Sequence, residues 1–120
     1  MSKQVLEICE QAFATEAACI ADGFNHLDKS EILRAVEALA QAPRIAASGA
    51  GHSGIACQHF AHLMCCIEKP ARFIPPSEAI HGGLGFIQKG DVMLLASRGG
   101  KTKELFPIVG KSPSNYLILY

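Results

Sequence analysis

The stretch Arg44-Ile45-Ala46-Ala47-Ser48-Gly49-Ala50-Gly51-His52-Ser53-Gly54 decides the fold class. Arg44 to Ser48 is a short, mostly apolar run that stops at glycine, the pattern of a buried strand in a parallel sheet. A glycine-rich loop follows, then a helical stretch over about 53–68 rich in Ala, Cys, Leu and Met. The unit recurs downstream. Asp91 to Ala96 is the clearest strand, after a Lys89-Gly90-Asp91 turn, and Ser97-Arg98-Gly99-Gly100-Lys101-Thr102 is a second glycine-rich loop leading into a helix expected over about 101–109. Between the two units lie a short strand, Ala71 to Ile74, ended by Pro75-Pro76, and a short helix over about 77–83 that breaks into a glycine loop. Strands that alternate with helices in this way predict an α/β fold with a mainly parallel sheet.

Upstream, two helices are expected. Over 3–22, Val5, Ile8, Cys9, Ala12, Phe13 and Ala17 recur at spacings of three and four, with Lys3, Glu7, Glu10 and Glu16 largely off that stripe. Gly23 and Asn25 punctuate it. A second helix over about 28–41 takes Asp28 or Ser30 as its N-cap, presents Ile32, Leu33, Val36 and Leu39 as its apolar face, and stops at Pro43. The expected organisation is a helical segment at 1–42 packing on an α/β domain at 43–109, with a tail at 110–120 whose last five residues form one more strand.

Composition narrows the function. Of 120 residues, 49% are apolar and 18% charged, too apolar for a disordered chain. Eleven Lys and Arg balance eleven Asp and Glu, so the basic footprint that phosphate-backbone binding requires is missing, and no nucleic-acid partner is expected. No apolar run approaches the roughly 18 residues of a membrane span, and the first ten residues carry Glu7 and Glu10 where a secretory signal would be apolar. A soluble cytoplasmic protein with no membrane partner is the expectation. Five cysteines without a framework spacing read as reduced thiols used as small apolar residues. His59 and His62 share a helix face, but no nearby carboxylate completes a set, so no metal site is expected; Phe60, Leu63, Met64 and Ile67 around them read as core.

Both glycine loops sit at the carboxyl end of a strand, the edge where ligands bind in open α/β sheets. A helix N-terminus there offers unpaired N–H groups and the positive end of the dipole, which suits an anion such as phosphate. The glycines, Gly49 and Gly51 in the first loop and Gly99 in the second, let the backbone approach closely, and the hydroxyls of Ser48, Ser53, Ser97 and Thr102 can donate further hydrogen bonds. Gly49-x-Gly51-x-x-Gly54 also fits the dinucleotide fingerprint, but the next strand ends in Ile74-Pro75-Pro76 rather than in a ribose-binding acid. Neither loop has the Walker pattern. No cofactor is expected.

In order and spacing, Ser48-Gly-Ala-Gly-His-Ser-Gly54, Pro76-Ser-Glu-Ala-Ile-His-Gly82 and Ser97-Arg-Gly-Gly-Lys-Thr-Lys-Glu104 resemble the SIS (sugar isomerase) domain family, and within it the arabinose-5-phosphate isomerase-like branch. The resemblance covers most of residues 40–109. It implies a flavodoxin-like three-layer α/β sandwich, a phosphorylated sugar as ligand, and assembly as a homodimer or homotetramer. By position it implies that Ser53, Ser97 and Thr102 bind phosphate, that Glu104 lies near the sugar, and that His81 is the histidine of the Glu-Ala-x-His-Gly motif. His52 stands where similar isomerases often carry Lys, which makes that charge conditional on pH. Gly83 replaces a frequent Asp and Gly99 a frequent Ser; Arg98 adds a cation.

The chemistry implied is aldose–ketose isomerisation: a proton leaves the carbon beside a carbonyl, an enediol forms, and the proton returns to the neighbouring carbon. Glu104 is the candidate base, with His81 assisting proton transfer at oxygen and His52 positioning the substrate. The alternative is a non-catalytic sugar-phosphate-binding module of a sensor or regulatory kind. The resemblance ends near Val109, where a family member would add further strands and helices and further catalytic residues. The expectation is therefore a truncated or frame-shifted product, with its sheet incomplete at the carboxyl end and its activity in doubt.

Overall fold

Four parallel strands run in the order β2-β1-β3-β4, with β1 at Ile45–Gly49, β2 at Ala71–Phe73, β3 at Val92–Ala96 and β4 at Asn115–Leu119. The computed structural model describes residues 2–111 and, as backbone only, 115–119. Side chains on β1 and β3 alternate between the two faces of the sheet, as period-two geometry requires. Ile45 and Val92 pack with Ala42, Leu39, Phe60 and Met64, and Ala47 and Leu94 with Cys57, on one face. Ala46, Met93 and Leu95 pack with Ile74, Ala79, Ile87 and Ile108 on the other. The layers are thus α3 (Gly51–Cys66) with the end of α2 (Lys29–Gln41), the sheet, and a layer of short elements. That third layer holds α4 (Pro76–Ala79) and two 3-10 helices, Gly83–Phe86 and Lys103–Leu105. This is the three-layer α/β sandwich with a parallel sheet that the motifs implied.

The chain divides into two compact units, Met1–Arg34 and Ala35–Tyr120. The first holds α1 (Ser2–Gly23), a 3-10 turn at Phe24–His26 and the start of α2. Of the two candidate N-caps, Asp28 does the capping: its Oδ1 accepts from the backbone N–H groups of Ser30 at 2.9 Å and Glu31 at 3.3 Å. The Ser30 hydroxyl, at 2.6 Å, is the main reason its carboxyl titrates below the usual range. In the second unit, Glu68 takes the left-handed conformation (φ 59°) and lets the Lys69 N–H return to the Met64 carbonyl at 3.0 Å, which ends α3.

Two expectations need correction. The segment after the second loop is not an α-helix over 101–109 but a three-residue 3-10 helix followed by turns, held by bonds such as Ile108 N–H to the Leu105 carbonyl at 3.0 Å. Pro107 supplies no N–H to an i→i−4 ladder, and Gly110 turns away at φ 90°. Leu63 and Ile67 are not core: they are 45% and 69% exposed, because only the Phe60 and Met64 side of α3 faces the sheet.

At the amino edge of the sheet, the Asp91 carboxylate is sealed (1% exposed) and takes two bonds from Arg44 Nε, at 3.1 and 3.3 Å, with Arg44 Nη2 at 3.0 Å and the Gln88 N–H at 2.8 Å. This pair ties the residues immediately before β1 and β3, which run in register as Ile45↔Val92.

Candidate functional site

The register that starts at Ile45↔Val92 ends at Gly49↔Ala96, so both glycine loops leave the carboxyl edge side by side. The first loop is tight. A Cβ on Gly54 would stand 2.5 Å from the Gly49 carbonyl oxygen, and one on Gly49 would stand 2.8 Å from the backbone of Ser53. Strand and helix therefore touch backbone to backbone, which fixes the first turn of α3 over the end of β1. Gly51 opens that helix at φ 55°, a conformation costly for side-chain-bearing residues. The residue before it, Ala50, provides no side-chain cap, so the first N–H groups of this 16-residue helix have no capping side chain.

Ser48, the last residue but one of β1, is fully buried and its Oγ has no hydrogen-bond partner among the described residues. Its carbonyl accepts from the Cys57 thiol at 3.3 Å. Burial pushes that thiol's pKa up, and a bond from the Ala96 backbone partly opposes the shift. Cys57 thus touches the ends of both β1 and β3 beneath the loops. By composition alone Cys57 reads as a small apolar residue; its place one helical turn beyond Gly54 is the signal that sets it under the loops.

In the second loop, Ser97 is buried and its Oγ lies 2.8 Å from Thr102 Oγ1, a hydroxyl pair that closes the turn along with the Gly100 N–H to the Ser97 carbonyl at 3.3 Å. Ser97, Gly100 and Thr102 line a cavity of about 340 Å³ together with Leu95, Leu105 and Phe106. The apolar members of that lining were not singled out from the sequence. Because the loop opens on a 3-10 turn, the helix-dipole argument holds for the first loop and not for the second.

The acid–base candidates are less closely assembled. Glu104 lies exposed in the Lys103–Leu105 turn, His52 exposed in the first turn of α3, and His81 exposed just past α4. Among the described residues no hydrogen bond or ion pair joins the three. Glu78 and Gly82, on either side of His81, line a second cavity of about 500 Å³ with Arg72 and Phe86. Ser53 is half-buried at the start of α3, and Gly99 is exposed at the tip of the second loop.

Comparison with known proteins places this geometry in a family. The SIS domain matches residues 38–109. Arabinose 5-phosphate isomerase GutQ of Escherichia coli K12 is 41% identical over 66 residues, which is 55% of this chain and 21% of that protein. A Listeria monocytogenes protein assigned as a sugar-phosphate isomerase superposes with a TM-score of 0.90 at 35% identity, covering 98% of this chain and 64% of that one. The Vibrio vulnificus NanR protein, solved with ManNAc-6P, superposes with a TM-score of 0.73 at 25% identity, covering 86% of this chain and 40% of its own. The chain spans about a third of the length of the first curated relatives it matches. No helix among the described residues is long and apolar enough to cross a membrane.

Proposed function

The chain belongs to the SIS domain family, and we propose that it binds a phosphorylated sugar at the paired loops and, as an aldose–ketose isomerase, exchanges a carbon-bound proton through an enediol. The observation that carries the reading is the Gly49↔Ala96 register, which sets two hydroxyl-bearing glycine loops on neighbouring strands at one edge. Ser53 and the open N–H groups at the start of α3 hold the phosphate from one side, and Ser97 and Thr102 from the other. Ser48, Gly49, Gly51 and Gly99 shape the cradle. The Ser48 hydroxyl, buried and without a partner among the described residues, supports this, because a buried hydroxyl without a bond is costly unless another group engages it. Arabinose 5-phosphate is the first ligand to try, given the relative that carries its name.

Glu104 is the base, His81 serves proton transfer at oxygen, and His52 positions the sugar. The protein works in the cytoplasm as a homodimer or homotetramer, needs no cofactor, and the domain proper spans 43–109 with the helical segment before it and the tail after it. Exposure of Glu104, His52 and His81 also favours a second reading, a domain that holds the sugar phosphate without turning it over.

Incubation with arabinose 5-phosphate and with hexose 6-phosphates in D₂O, followed by proton NMR, separates the readings. An isomerase replaces the carbon-bound proton by deuterium, and Glu104→Gln slows this by about 10²-fold or more while a ligand-dependent rise in melting temperature persists. A thermal shift with no exchange in the unsubstituted protein leaves the binding module. No thermal shift with any phosphosugar sinks both.

A further inference from the structure

In the Ala35–Tyr120 body two guanidinium groups converge on one phenyl ring. Arg44 Cζ lies 5.6 Å from the centroid of Phe86, and Arg72 Cζ lies 5.7 Å from it. Arg44 has its counter-charge, the sealed Asp91 carboxylate at 3.0 Å. Arg72 has none: among the described residues no carboxylate comes within ion-pairing distance of it. A phenyl face attracts a cation without neutralising it, and each guanidinium on the ring repels the other. An anion is what this cluster lacks, and the fork of Arg72 matches a carboxylate or a phosphate.

Arg72 lines the cavity of about 500 Å³ beside the edge strand β2, with Ile74, Glu78, Gly83 and Phe86. Its register partner Ala46 faces the third layer, so Arg72 is turned to that face too. Glu78, on α4, brings the opposite charge to the same cavity. Its carboxylate has no hydrogen bond or ion pair among the described residues. The backbone beneath it is clamped: the Glu78 carbonyl accepts from the His81 N–H at 3.1 Å, and a Cβ on Gly83 would stand 2.8 Å from that oxygen. One cavity thus presents a cation and an anion on separate elements, not paired with each other. A simple anion would answer Arg72 and be repelled by Glu78, and a simple cation would meet the reverse.

We propose that this cleft binds a small zwitterion, one molecule that brings a carboxylate or phosphate to Arg72 and a protonated amine to Glu78, its apolar part lying against Ile74 and Phe86. An ionised carboxylate only accepts hydrogen bonds and bonds most strongly to a charged donor, which assigns an amine rather than a hydroxyl to Glu78. None of the lining residues belongs to the two hydroxyl-bearing loops, so the inference stands apart from the sugar-phosphate reading. The two sites are still neighbours along the chain, because Glu78 and the lining residue Gly82 flank His81. A ligand held there would steady the turn that carries His81.

Thermal shift and titration calorimetry of the full chain with the standard amino acids and with O-phosphoethanolamine test it. Saturable binding of an amino acid, of O-phosphoethanolamine or of both is the expected result, and the probe that binds tells whether the acid group is a carboxylate or a phosphate. Masking the acid as an amide or ester, or replacing the amine by a hydroxyl, weakens the best probe by about tenfold or more. Arg72→Gln and Glu78→Gln do the same with unchanged circular dichroism, since both side chains are exposed. No binding by any probe overturns the proposal, as does a hydroxy acid that binds as tightly as its amine counterpart, or binding that survives both substitutions. Thermal shift with arabinose 5-phosphate on the same samples keeps the two readings apart. Zwitterion binding without a sugar-phosphate shift overturns the sugar-phosphate reading alone, whereas a sugar-phosphate shift that disappears in Arg72→Gln overturns the cleft as a site of its own.

Discussion

In the body, Ile45, Met93 and Leu95 are 0–2% exposed, whereas in the first unit Phe13 and Ile20, also large and apolar, are 78% exposed. Both sets obey their element's period. The strand residues meet packed side chains on each face of the sheet within about 50 residues of chain, whereas no residue of α1 is buried. Periodicity therefore reports that a face is apolar and leaves open which surface receives it. A sheet flanked by its own helices answers that question within its own unit.

The comparison breaks most easily at its centre. Leu95→Ala should cost about 4 kcal/mol by lost transfer energy and cavity formation, read by urea unfolding. Phe13→Ala should change the same quantity by under about 0.5 kcal/mol. Equal costs would mean that α1 is buried within its own chain. Next in size is the amino-edge ion pair. Arg44→Ala strands a carboxylate that is 1% exposed and should cost about 3 kcal/mol. Asp91→Asn should cost less, because Arg44, with 37% of its side chain exposed, can turn to water. The reverse order would show that water reaches the Asp91 carboxylate once Arg44 is removed.

The smallest effect belongs to Cys57. Burial raises its thiol pKa, so the folded state holds a proton that the unfolded state releases first. The contribution is whole below the ordinary thiol value of about 8.5 and is lost as pH rises through the folded value. Alkaline melting temperatures should therefore fall less in Cys57→Ala than in the unsubstituted protein. In alkylation assays Cys65 and Cys66, both exposed, should label at once and Cys57 only on unfolding. Prompt labelling of Cys57 would contradict its place beneath the loops.

Much of the body was legible from local signals: glycine after an apolar run, Pro43 as a stop, Pro75-Pro76 as a strand end. What escaped was set by long-range geometry. Arg44 and Asp91 are 47 residues apart and become partners only once β1 and β3 pair, although each immediately precedes its strand. Leu63 and Ile67 look like core because apolar side chains are spread widely around α3, and only the sheet's position selects Phe60 and Met64. The glycine loop before Thr102 looks like a helix start, yet Pro107 lacks the N–H that an α-helical ladder needs there. At the site, spacing located the loops, yet it could not show that Ser97 and Thr102 would bond to each other, nor that Cys57 would reach the Ser48 carbonyl.

The strand order β2-β1-β3-β4 has a consequence for how the chain assembles as it is made. β1 is the first strand to be synthesised and lies inside the sheet. β2 then adds to one side of it, β3 to the other, and β4 to the outer edge of β3. No strand has to insert between two that are already paired. The sheet can thus grow outward in step with vectorial synthesis, each addition docking on a finished edge, and a nascent chain need never undo a ladder to complete the next one.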